Sequence, residues 1–102
     1  MTHPQFDLAK RQMRNGGTVL AVELAGGRVA AEHFLDSIQL ARVATSLGGP
    51  ETLVCHPATS THASLTPDEA AAIGVSDGLL RISVGLEDTA DLVSDLTAAL
   101  PR

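Results

Sequence analysis

Residues 77–88, DGLLRISVGLED, alternate strictly. Leu80, Ile82, Val84 and Leu86 share one face of an extended chain, and Leu79, Arg81, Ser83 and Gly85 share the other. This period of two predicts a half-buried β-strand. Earlier in the chain, Phe6, Ala9 and Met13 recur at helical spacing over 4–14, with Pro4 in the first turn and Asn-Gly-Gly at 15–17 as a stop. TVLAVEL (18–24) is β-branched and apolar and predicts a buried strand. The segment 28–41 places Ala30, Phe34, Ile38 and Ala41 on one helical stripe, with Arg28, Glu32, Asp36 and Gln39 largely opposite. RVATSL (42–47) alternates again, with Ser46 on the face away from Val43 and Leu47.

Beyond Gly-Gly-Pro at 48–50, TLVC (52–55) predicts a short strand and the polar stretch 56–65 a loop. In TPDEAAAIG, Thr66 is placed as N-cap, Pro67 at N1, Glu69 at N3 to close a capping box, and Gly74 as the stop. Asp88 caps a last helix whose stripe is Leu92, Val93, Leu96, Ala99 and Leu100. The order predicts an α+β fold: a small, mostly antiparallel sheet with helices on one face. The other face is left free or meets something outside this chain.

Composition narrows the function classes. At 102 residues and 44% hydrophobic content, the chain makes one domain with a modest core, and with 2% aromatics that core is aliphatic. No apolar run approaches the ~20 residues of a membrane span, and the first residues hold no apolar signal core. A single cysteine, Cys55, excludes an internal disulfide and fits a reducing cytoplasm. With net charge −5 and scattered basic residues, nucleic acid and anionic membranes are poor partners.

Most chemical constellations fail on spacing. Cys55, His56 and His62 are near one another, but no second cluster completes a metal site. No G-x-S-x-G elbow fixes a nucleophilic serine, and the glycine pairs match no phosphate cradle. The carboxylate pairs Asp68/Glu69 and Glu87/Asp88 each open a predicted helix, where capping and the macrodipole account for them. Arg81 and Ser46 remain. Both lie on predicted strands and point away from the apolar face, so in one sheet they converge on the uncovered side. An arginine fork and a hydroxyl make a carboxylate clamp. Against that stands an ion pair of Arg81 with Glu87 or Glu23, which pattern alone favours because structural ion pairs outnumber ligand sites.

SLGGPETL (46–53), HPATSTH (56–62) and GVSDGLLRISVGLED (74–88), in this order, resemble the C-terminal domain of the pyridoxal-phosphate enzymes of cysteine and methionine metabolism. The stretch HPQFDLAKRQMRNGGTVLAVEL (3–24) extends the resemblance over nearly all the chain and looks closest to the O-succinylhomoserine sulfhydrylase branch. The resemblance implies that Arg81 grips the substrate α-carboxylate and that Ser46 helps bind it. Leu47, Gly48 and Thr61 would shape the cavity wall or hold its loop. It further implies a parent enzyme that replaces the γ-substituent of an activated homoserine, using pyridoxal phosphate held by a large domain. The implied assembly is a cytoplasmic homo-oligomer, tetrameric by resemblance, acting on a small amino acid.

On this basis 1–17 is expected to be a leading helix and turn, and 18–102 the substrate-binding, active-site-closing domain. The cofactor domain and its Schiff-base lysine are missing from the match. The only lysine, Lys10, lies beside Arg11 on a predicted solvated helix, unlike the desolvated pocket that imine-forming lysines need. The chain alone is therefore expected to bind no cofactor covalently, to be inactive and to self-associate through an exposed face. The alternative is a self-standing, non-enzymatic binding or interaction domain on the same fold.

Overall fold

The computed structural model describes residues 3–15 and 17–100, so Gly16 of the predicted Asn-Gly-Gly stop lies outside the described residues. The elements run α1 (Phe6–Gln12), β1 (Val19–Glu23), α2 (Gly27–Ser37), β2 (Arg42–Val43) and β3 (Leu53–Cys55). A 3₁₀ turn (Pro57–Thr59), α3 (Pro67–Ala72), β4 (Leu79–Ser83) and α4 (Thr89–Ala99) follow. The strands form one sheet in the order β1-β4-β3-β2. β4 pairs antiparallel with both β1 and β3, while β2 runs parallel to β3.

The alternation in 79–83 divides the sheet as expected. Leu80 and Ile82 are buried with Val54, the cross-strand partner of Ile82, and with half-buried Val22, the partner of Leu80. Phe34 and Ala31 of α2 and Ala99 of α4 close this layer, so both helices cover one face. Burying these apolar side chains contributes roughly 1.5–3 kcal/mol for each large one. The capping box of α3 forms as predicted, with Thr66 Oγ1 accepting the Glu69 N–H at 3.2 Å and Glu69 Oε1 accepting the Thr66 N–H at 3.0 Å.

Several expectations need correction. The strand predicted as buried over 18–24 is exposed along β1 except at half-buried Val22, because β1 is an edge strand of the sheet. The helix predicted over 28–41 ends at Ser37, because Asp95 of α4 captures the N–H groups of Gln39, Leu40 and Ala41 that would have continued it. The strand predicted over 42–47 ends at Val43. Ala44 donates to the Val54 carbonyl at 3.0 Å, but beyond Cys55 the neighbour turns into Pro57, which offers no N–H to a further parallel pair. Leu86 is 85% exposed rather than on the apolar face, since β4 stops at Ser83. Val93 and Leu100 are also exposed: the inward stripe of α4 runs Leu92, half-buried Leu96 and Ala99, with Val93 on its flank and Leu100 beyond the helix end. Finally, α1 buries none of its residues, and its Phe6 and Ala9 are only half-buried.

Candidate functional site

The second face of the sheet carries Arg81. In register it lies between Ala21 of β1 and Cys55 of β3, so all three share that face. Cys55 is buried, Arg81 half-buried and Ala21 exposed. The guanidinium turns toward the segment that leaves β2, and Nη2 donates to the Thr45 carbonyl at 2.9 Å and the Ser46 carbonyl at 3.2 Å. Ser46 therefore meets Arg81 through its backbone and not its hydroxyl. It lies on no strand, and its side chain is exposed.

The expected ion-pair alternative is not formed. The ion pairs among the described residues are Arg28–Asp77 at 3.2 Å and Arg42–Glu51 at 3.8 Å. Glu87, one proposed partner, spends its carboxylate on Thr52: Oε2 accepts the Thr52 N–H at 2.7 Å and Oε1 its hydroxyl at 2.8 Å. These bonds stabilise the charged form and hold the Glu87 carboxyl below its ordinary value of 4.5. Asp88 does cap α4, accepting the Asp91 N–H at 3.1 Å, but capping does not explain Glu87.

A ladder of side-chain contacts joins 45–52 to the odd positions of 81–87. Ser83, buried, accepts the Gly48 N–H on its hydroxyl at 3.0 Å. Gly48 sits at φ +81°, in the left-handed region that favours glycine. Gly85 lies against the backbone of 50–52, where a Cβ would meet Pro50 O at 2.5 Å and Thr52 N at 2.6 Å. Its N–H donates to Thr52 Oγ1 at 2.9 Å, and the Leu86 N–H donates to the Pro50 carbonyl at 2.8 Å. Sequence reading missed this ladder, although its signal was present: a polar or glycine residue at every second position through 87.

The loop 56–62 is tied down beside it. His56 is buried, and its Nε2–H donates to the Asp77 carbonyl, so Nδ1 accepts the Thr59 hydroxyl at 2.8 Å. The Ser60 hydroxyl donates to the His56 carbonyl at 2.6 Å. Thr61 is exposed, with Oγ1 bonded to His62 Nδ1 at 2.8 Å, and Leu47 is 61% exposed. Among the described residues no group of His, Cys, Asp or Glu could hold a metal ion, and no helix is long and apolar enough to cross a membrane.

A half-buried arginine held on one nitrogen by two carbonyls, with no carboxylate within 4.0 Å among the described residues, has the form of a receptor for an anionic group. A family model for the Cys/Met metabolism PLP-dependent enzymes matches residues 1–101. The chain belongs to this family. An O-succinylhomoserine sulfhydrylase of Mycobacterium tuberculosis is 48% identical over 103 residues, covering 97% of this chain and 25% of its own length. An L-methionine gamma-lyase of Treponema denticola is 46% identical over 99 residues, with the same coverage of 97% and 25%. Among solved structures, a cystathionine gamma synthase from Xanthomonas oryzae in complex with aminoacrylate and cysteine superposes with a TM-score of 0.84. It is 47% identical, over 96% of this chain and 25% of that one. The chain thus spans about a quarter of the length of these Cys/Met metabolism relatives.

The family's cofactor is pyridoxal phosphate, and the residues here do not fit it. Lys10, the sole lysine, stands on α1 with its ammonium 5.5 Å from the Phe6 ring centroid. The shallow recess around it is lined by Phe6, Ala9, Met13, Arg14 and Asn15, and none of these offers the acid that a pyridine nitrogen requires. Among the described residues, this recess therefore offers no seat for the group.

Proposed function

We propose that the chain is the C-terminal, active-site-closing part of an O-succinylhomoserine sulfhydrylase of methionine biosynthesis, a γ-replacement enzyme acting on an activated homoserine. Its contribution is the site for the substrate α-carboxylate. Arg81 binds that carboxylate, the exposed Ser46 hydroxyl supplies a further donor, and Leu47, Gly48 and Thr61 shape the wall. The single observation that carries this reading is the anchoring of Arg81 through Nη2 by two backbone carbonyls, without an acidic partner among the described residues. A guanidinium fixed in this way orients a bound amino acid at its carboxylate end, which is positioning and not proton transfer.

The partners under this reading are a large cofactor-bearing domain, a small amino acid and further copies of the same chain, in the cytoplasm as a tetramer. The sulfhydrylase branch is supported by the opening stretch 3–24. The test is a full-length, cofactor-loaded enzyme carrying this domain, given O-succinylhomoserine with sulfide and, separately, L-methionine. Sulfide-dependent homocysteine formation is expected to dominate; release of methanethiol from methionine as the main activity would place the parent among the γ-lyases instead. Arg81→Ala should raise KM for the amino acid by about 10- to 100-fold, the range of a lost charge-assisted hydrogen bond.

A further inference from the structure

Four positions on one face of the strand and its extension, Arg81, Ser83, Gly85 and Glu87, contact the segment 45–52 in order. They reach residues 45 and 46, then 48, then 50–52, then 52. The far end of this ladder is a closed polar unit. Thr52 is fully buried; its hydroxyl accepts from Gly85 N–H and donates to Glu87, and its N–H donates to Glu87 as well. Its carbonyl accepts the Arg42 N–H at 2.9 Å, which ties the segment back to β2. Between Thr52 and β2, the carbonyls at 45 and 46 are the groups that hold Arg81 Nη2.

We propose that Glu87 is a positioning residue for Arg81, acting through Thr52 and the backbone of 45–52. With Nη2 turned to the carbonyls of Thr45 and Ser46, the donors left for a carboxylate are Nε–H and those of Nη1. The guanidinium is planar, so whatever sets those two carbonyls also sets the direction in which the remaining donors point. Glu87 is suited to this because Thr52 presents it with two donors and a carboxylate is purely an acceptor. A glutamine there turns one acceptor into a donor and confronts the Thr52 hydroxyl or N–H with it, leaving a buried donor unmet. That Arg81 orientation matters to catalysis rests on the function proposed above; the mechanical coupling does not.

The coupling is read in the ¹⁵N-labelled full chain from the Arg81 Nε–H resonance and from exchange at the Gly48 amide. Glu87→Gln and Thr52→Val are expected to move the Nε–H signal and to speed Gly48 exchange by about tenfold. Thr52→Ser, which keeps the hydroxyl, is expected to restore both to wild type. A folded Glu87→Gln chain, or a folded Thr52→Val chain if the first does not fold, with the Arg81 signal unmoved overturns the proposal. In the full-length, cofactor-loaded enzyme, Glu87→Gln should raise KM for the amino acid while Thr52→Ser does not. If Arg81→Ala leaves KM unchanged there, the carboxylate function fails, while the coupling still stands or falls on the spectra.

Discussion

Asp95 and Ala41 meet across 54 positions: the Asp95 carboxylate accepts the Ala41 N–H at 3.0 Å and takes those of Gln39 and Leu40 as well. One side chain of α4 thereby ends α2 and starts the turn into β2. Removing it in Asp95→Ala should cost about 1 kcal/mol, because the carboxylate is largely solvated and its bonds are screened. A urea midpoint shift with unchanged slope is the expected result.

The same group makes a pH prediction. Burial pushes the Asp95 carboxyl up, but the N–H groups of Ala41, Gln39 and Leu40 together outweigh it and hold the carboxyl below its ordinary value of 3.8. A folded-state value below the unfolded one gives stability that is present above that ordinary value and lost as pH falls through the lowered one. Thermal unfolding should therefore separate wild type from Asp95→Ala near neutral pH, and the gap should close as pH falls below 3.8.

Arg81 offers the opposite signature. Its charge is held by carbonyls and no acid among the described residues, so Arg81→Met should change stability by less than about 1 kcal/mol while keeping the packed stem. A loss of several kcal/mol in chemical denaturation would mean that Arg81 is a structural tie and not a receptor.

Gly85→Ala should be among the most damaging small substitutions. The added Cβ would meet main-chain atoms at 2.5 Å, which cannot swing aside like the end of a side chain. A cost of about 1–3 kcal/mol or more is expected, with the exchange protection of the 48–52 amides lost before that of β1.

In the core, Phe34→Ala should cost about 3–5 kcal/mol, since Phe34 is 2% exposed and fills the layer between α2 and the sheet. Val93→Ala, at a helical position of similar hydrophobicity but 59% exposed, should change the melting temperature little.

β1 is an edge strand with Val19 and Leu20 each more than 40% exposed. The chain on its own should self-associate with rising concentration, and Leu20→Lys should suppress this in sedimentation.

Much of the fold was legible because local signals agreed with the global arrangement. Thr66, Pro67 and Glu69 specify a helix start by themselves, and the two-residue period around Leu80 and Ile82 specifies a strand with one buried face. What failed were element ends set by residues far away in sequence. Nothing near Ser37 announces that Asp95 will take the next N–H groups, and nothing near Val43 announces that its neighbouring strand runs into Pro57. The candidate site followed the same division. Arg81 stood out as a charge in a patterned strand, whereas the ladder through Ser83, Gly85 and Glu87 depends on which backbone lies opposite. The expectation that Ser46 acts from a strand was lost with the strand itself, although the proximity to Arg81 remained.

The two carbonyls that hold Arg81 precede it by 36 and 35 positions. Closing loops of that length costs entropy before any contact repays it, so the anchor belongs to the slow part of folding. β4 is also the strand that lies between β1 and β3. On a ribosome, a chain that has not yet extruded β4 has two strand groups with no ladder between them and no arginine to fasten. Completion of the sheet and the fastening of the Arg81 guanidinium to Thr45 and Ser46 are then a single event that waits for β4.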